Sequence, residues 1–183
     1  MKKWFAIGVS ALVLVACSAF AAQDDPMVGG AAMYPTKTIV QNAMNSNDHT
    51  TLVAAVKAAG LVDTLAGPGP FTVFAPTNEA FAKLPSGTVD NLLKPENKDM
   101  LTKILTYHVV AGRLSTQDIQ KMIKAGHGKA ELKTVSGGSL WAMSDGGTIM
   151  LRDEKGGTAT ITIPNVYQSN GVIQVVDSVL LPN

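Results

Sequence analysis

Apolar positions fall at helical spacing through the first half of the chain and at strand spacing through the second. Leu52, Val53, Val56 and Ala59 mark one face of a helix, with Asn47 or Asp48 placed to cap it and Gly60 to stop it. Thr77 precedes a second, short helix carrying Ala80 and Phe81. Glu79 lies in its first turn, where the helix dipole favours an acid, and Pro85 ends it. Pro95 suits the first turn of a third helix, whose apolar face of Met100, Leu101, Ile104 and Leu105 is expected to turn inward. Ser115 and Asp118 form a capping box with Asp in place of Glu, so a fourth helix follows through Ile119, Met122 and Ile123.

Beyond this point short β-branched segments take over: Leu140 to Met143, Thr148 to Leu151, Thr158 to Ile163 and Val172 to Val176. Ser136-Gly137-Gly138, Asp145-Gly146-Gly147 and Lys155-Gly156-Gly157 separate them, and their glycines admit the positive backbone angles of tight hairpins. Earlier strands are expected at Phe71 to Phe74, at Thr106 to Val110 and around Leu132 to Val135. The pattern predicts an α+β domain, a curved β-sandwich with several short helices packed on one side.

The amino terminus follows another plan. Lys2 and Lys3 precede an uncharged run from Trp4 to Ala16, too short to span a bilayer comfortably and built like a secretory signal. Small residues at Ala19 and Ala21 predict cleavage before Ala22, which makes residues 1–21 the signal and releases a soluble protein. Leu14-Val15-Ala16-Cys17 also resembles a lipobox, and in that alternative Cys17 becomes a lipidated first residue that anchors the protein to a membrane. Residues 22–35, rich in Asp, Gly, Ala and Met, read as a flexible linker, and one domain fills residues 36–183. Cys17 is the only cysteine, so stability rests on an apolar core and not on a disulfide. A net charge of +1 with dispersed Lys and Arg argues against a nucleic-acid partner.

The sequence offers little reactive chemistry. The three histidines, His49, His108 and His127, lie at no metal-ligand spacing, and no serine sits in a nucleophile-elbow pattern. His49 reads as an exposed or capping residue beside Asp48, and His127 as an exposed loop residue between two glycines. Gly67-Pro68-Gly69 lacks the residues of a phosphate-binding loop. No catalytic residue, metal or cofactor is expected. Tyr107 and His108, adjacent on an expected strand, should face opposite sides, with His108 anchoring a neighbouring loop.

Three blocks resemble the fasciclin domain family: Gly69 to Phe81 with its Phe-Thr-Val-Phe-Ala-Pro-Thr core, Leu105-Thr106-Tyr107-His108-Val109-Val110, and Asn170 to Pro182. Gln174 and Asn165 depart from the pattern, standing where the family commonly has His and many members have Asp. Neutral amides keep hydrogen bonds but do not titrate near neutral pH, which weakens any pH-switch or metal role there. The resemblance implies a fasciclin-like fold and a non-enzymatic role in adhesion or matrix binding. Its partner would be a cell-surface or matrix protein or a polysaccharide, met outside the cell, at its surface or in the periplasm. An exported structural or stress-related protein and an unrecognised hydrolase are the alternatives. The resemblance also implies receptor contact through Tyr107 and His108. Asn97-Lys98-Asp99-Met100-Leu101 resembles an integrin-associated stretch of vertebrate members, which adds Asp99, Met100 and Leu101 as candidate binding residues.

Overall fold

A computed structural model describes residues 25–183. The expected signal, its cleavage point at Ala21-Ala22 and the alternative lipid site Cys17 lie outside the described residues.

The described chain opens with a small hairpin, β1 (Met27–Val28) and β2 (Ala31–Ala32). Here the expected linker is corrected. Gly29 and Gly30 both take positive φ and close a two-residue turn, so Val28 and Met33 reach the core, exposed by only 4% and 1%. The amide of Asn47 donates to the Gly29 carbonyl and ties the hairpin down. Two apolar residues within a run of small ones suffice to dock it.

Helices α1 (Ile39–Ala43), α2 (Thr50–Ala59) and α3 (Val62–Ala66) follow. Thr38 and Gln41 form a capping box on α1, and Gly60, at φ 73°, ends α2 in the left-handed conformation. Asn47 and Asp48 do not cap α2. They sit in a 3-10 turn (Asn47–His49) that leads into it, and His49 takes the cap position without a side-chain hydrogen bond to the helix.

Strand β3 (Phe71–Pro76) passes through Thr77, whose Oγ1 accepts from the Ala80 amide, into α4 (Asn78–Ala82). Helix α5 (Thr88–Leu92) and a 3-10 turn (Pro95–Asn97) precede α6 (Lys98–Tyr107), which runs into β4 (Val109–Ala111). The capping box of Ser115 and Asp118 opens α7 (Thr116–Ala125). The hairpins then follow as β5 (Lys129–Lys133), β6 (Ser139–Asp145), β7 (Thr148–Arg152), β8 (Thr158–Gln168) and β9 (Gly171–Val176).

Seven strands form one sheet in the order β4-β3-β9-β8-β7-β6-β5, with only β3 and β9 parallel. The sheet curls until its edges meet: Val110 bridges Thr134, and the Val135 amide donates to the Val109 carbonyl at 2.8 Å. Bulges in β8 between Ile161 and Val166 supply part of the bend.

Curling creates two cores. Val73, Ala75, Ile173 and Val175 face the helices, packing with Ile39, Leu52, Val56, Phe81, Leu101 and Leu105. Phe74 and Val176 face the opposite way, into the curl, where Ile119 and Ile123 of α7 meet the inner residues of β5 to β8. Strand β9 is buried throughout, its apolar residues interrupted only by Gln174.

Candidate functional site

The stretch singled out by resemblance falls at the carboxyl end of α6. The expected strand from Thr106 is corrected: the helix continues through Tyr107, His108 caps it in a helical conformation, and extended backbone begins only at Val109. Tyr107 and His108 still diverge, because consecutive residues on a helix point about 100° apart.

Tyr107 is fully buried. Its hydroxyl donates to the Ser139 carbonyl at 2.6 Å and accepts from the Glu154 amide at 3.2 Å. Burial, with Glu154 and Asp153 nearby, pushes the phenol up to about 12, so it stays protonated. The ring lies close against the turn between β5 and β6, where a β-carbon on Gly138 would come within 2.7 Å of it. Gly137 serves the turn through its positive φ, whereas Gly138 serves the ring.

His108 is 3% exposed and bonded at both ring nitrogens. Nε2 accepts from the Leu180 amide at 3.0 Å, which makes Nδ1 the protonated nitrogen, donating to the Ile104 carbonyl at 2.9 Å. The backbone amide of His108 turns instead to Leu105, so the imidazole stands in for the donor that Ile104 loses as the helix ends. Burial lowers the imidazole to about 4, outweighing the Ile104 carbonyl and Asp153, which act in the other direction.

Sequence reasoning missed the partners in this arrangement. Asp153, itself buried, accepts from the Gly157 amide at 2.6 Å and from the Leu181 amide at 2.9 Å. Glu154 accepts from the amides of Ser139 and Asn183, and these bonds hold its carboxyl below the usual range. His108, Asp153 and Glu154 therefore clamp the carboxyl-terminal segment at Leu180, Leu181 and Asn183. The only hint in the sequence was that two acids precede the turn glycines.

A second polar knot lies at the family departures. Gln174, fully buried on β9, accepts from the Asn165 amide at 2.9 Å and donates to the Leu114 carbonyl at 3.1 Å. Asn165, at φ 57°, accepts from the Thr116 amide and donates to its hydroxyl, both at 2.8 Å. Together they hold the β8 bulge to the start of α7.

Of the other candidate residues, Leu101 is buried at 3% exposure while Asp99 is exposed. Met100, expected inside, is 58% exposed. Leu101, Ile104 and Leu105 take the inward stripe, and Met100 lies about 100° around from Leu101, at its edge. Five candidates thus divide into two on the surface and three in the interior. His49 is another correction: it is 3% exposed, its Nδ1 is 2.9 Å from the Ser46 hydroxyl, and burial lowers its imidazole. His127 is exposed in its loop at φ 56°.

Among the described residues no group of His, Cys, Asp and Glu has the arrangement of a metal site, and no helix is long and apolar enough to cross a membrane. Buried polar atoms left without a partner there are Nε2 of His49 and the amide of Gln168.

Comparison with known proteins agrees with this architecture. Residues 47–182 match the family model described as the fasciclin domain. Protein sll1483 of Synechocystis is 43% identical over 97% of the chain and 91% of its own length. The immunogenic protein MPB70 of Mycobacterium bovis is 36% identical over 93% of the chain and 82% of its own. The cell surface glycolipoprotein MPB83 of the same species is 33% identical over 91% of the chain and 70% of its own. Among solved structures, a FAS1 domain pair from the insect cell adhesion molecule fasciclin I superposes with a TM-score of 0.71 at 21% identity, over 80% of the chain. The chain spans about half of that pair, 51% of its length. With the family model and close relatives both running across the curled sheet and its clamped tail, the chain belongs to the fasciclin domain family.

Proposed function

We propose that the protein is an exported, non-enzymatic module for adhesion or matrix binding, acting outside the cell, at its surface or in the periplasm. The observation that carries this reading is where its polar interior is spent. The side chains of Tyr107, His108, Asp153, Gln174 and Asn170 bond to backbone groups of neighbouring segments, which suits a rigid body presenting surface loops. A surface location is supported by similarity to a cell surface glycolipoprotein. Cleavage before Ala22 would release the domain, and lipidation of Cys17 would hold it to a membrane. Mass spectrometry of the exported protein is expected to find an unmodified amino terminus at Ala22, and a diacylated Cys17 would reverse that assignment.

The partner is a cell-surface or matrix protein or a polysaccharide. Of the candidate contact residues, Asp99 and Met100 carry side chains to the surface and are the ones proposed to touch a partner directly. Beads coated with the exported protein should attach to the producing cells or their isolated matrix more than beads carrying an unrelated exported domain. Equal attachment of both would refute the adhesive reading.

A further inference from the structure

The outer face of strands β5 to β7 is built unlike the rest of the surface. Side chains alternate across a strand, so Ala130, Leu132, Leu140, Ala142 and Leu151 turn into the curl, while their neighbours point outward. Trp141 is one of those neighbours, an aromatic ring at an outward position. It pairs across the sheet with Glu131 on one side and Arg152 on the other, and Lys129 approaches diagonally, its Nζ 4.9 Å from the ring centroid. A shallow recess of about 230 Å³ lies here, lined by Lys129, Trp141, Arg152, Asp153, Glu154 and Gly156.

The recess is lined by two cations and two acids, and the groups left without a polar partner decide what it attracts. Asp153 and Glu154 each have both carboxylate oxygens occupied by backbone amides, and Glu131 is held by Lys133 at 2.8 Å and by the Ser139 hydroxyl. Lys129 and Arg152 take part in no ion pair among the described residues, and both are exposed. The carboxylates keep their charge, but those of Asp153 and Glu154 have both oxygens engaged by amides, whereas Lys129, resting over the indole, and Arg152 have no carboxylate partner among the described residues. Their strands lie about 10 Å apart, twice the usual strand spacing.

We propose that this face binds an acidic polysaccharide built of uronate sugars. The apolar C–H face of one pyranose ring stacks on Trp141, displacing the Lys129 ammonium from the indole. Its carboxylate then lies between Lys129 and Arg152, which supplies a charge-assisted contact that a neutral sugar lacks. The recess is smaller than the roughly 300–1,000 Å³ of an enclosed drug-sized site, and its open shape lets a polymer continue past it. The ring needs only one aromatic platform, whereas a stable protein partner covers about 800 Å² on each side. The proposal rests on the adhesive reading and names its ligand class.

The test is titration calorimetry of the full chain with sodium polygalacturonate, beside neutral dextran and poly-L-glutamate, with circular dichroism confirming that each variant is folded. Polygalacturonate should bind and dextran should not. Trp141→Ala should weaken polygalacturonate by about ten-fold, the loss expected of a stacking platform. Arg152→Ala and Lys129→Ala, at exposed positions that leave the fold intact, should each weaken it several-fold and reduce its salt dependence. Equal binding of poly-L-glutamate, or polygalacturonate binding unchanged in Arg152→Ala and Lys129→Ala, would overturn the proposal in favour of a polypeptide or of diffuse charge attraction. Matrix attachment by beads without polygalacturonate binding would overturn it while sparing the adhesive reading. Loss of both would remove the two together.

Discussion

Replacing His108 by alanine removes two hydrogen bonds and a buried ring at once, and the consequences are separable. The Leu180 amide, on a residue with no exposure, loses its acceptor, and the Ile104 carbonyl loses its donor. A buried amide without a partner costs about 1–3 kcal/mol, and the space left by the ring adds to that, so a total of roughly 2–4 kcal/mol is expected. The pH dependence carries a second signature. Above the ordinary histidine value of 6.5 the imidazole is neutral in folded and unfolded chains alike and contributes no slope. Below it the unfolded chain takes up a proton that the folded chain refuses until about pH 4. Stability therefore falls with acidity across this window, by about 3 kcal/mol for a shift of this size. His49 is shifted in the same direction and adds to the slope, so His108→Ala should flatten it without abolishing it. Denaturant unfolding of wild type and variant at several pH values between 4 and 7.5 measures both effects. A stability change under about 0.5 kcal/mol with an unaltered acid slope would refute the clamp.

Other perturbations address the remaining structural claims. Phe74→Ala, at a side chain with no exposure in the inner core, should cost about 3–5 kcal/mol in the same unfolding assay. Gly171→Ala should be at least as damaging for a steric reason, since its β-carbon would overlap the Phe71 carbonyl oxygen in the neighbouring parallel strand, and failure to accumulate as folded protein is the expected readout. Gln174→Ala should cost about 1–3 kcal/mol by stranding the Asn165 amide and the Leu114 carbonyl, and hydrogen exchange at Thr116 should quicken as α7 loosens.

The parts of this fold that were legible in the sequence are those specified locally. Ser115 and Asp118 cap α7 through bonds within one turn of chain, and the glycine pairs at 137–138, 146–147 and 156–157 fix hairpins between adjacent strands. What was not legible depends on distant partners. Thr106, Tyr107 and the valines after them have strand propensity, but the helix holds through Tyr107, whose hydroxyl finds Ser139 and Glu154 far along the chain. The docked hairpin at residues 27–32 was hidden for the same reason, because Val28 and Met33 become core residues only against a surface that the rest of the fold provides. His49 reads as a surface residue in the sequence, yet it is buried and lines one interior recess with Val28, Met33 and Ala75.

The same distinction separates motif from function in this chain. Residues that make the resemblance recognisable are spent holding segments together: Thr77 on α4, Tyr107 on the β5–β6 turn, His108 on the tail, and Asn170 on Ile39, Leu65 and Gly67. A side chain with its donors and acceptors so engaged can meet a partner only by giving up those bonds, at a cost of the order worked out for His108. Contact chemistry must therefore come from positions the fold leaves unconstrained, such as the outward parity of β6 and the exposed edge of α6. Trp141 and Met100 occupy such positions, and neither lies in any of the three blocks that carry the family resemblance. Family members with the same buried network can thus differ in ligand without differing in fold, and in this chain the outward face of β5 to β7 is where that difference would be written.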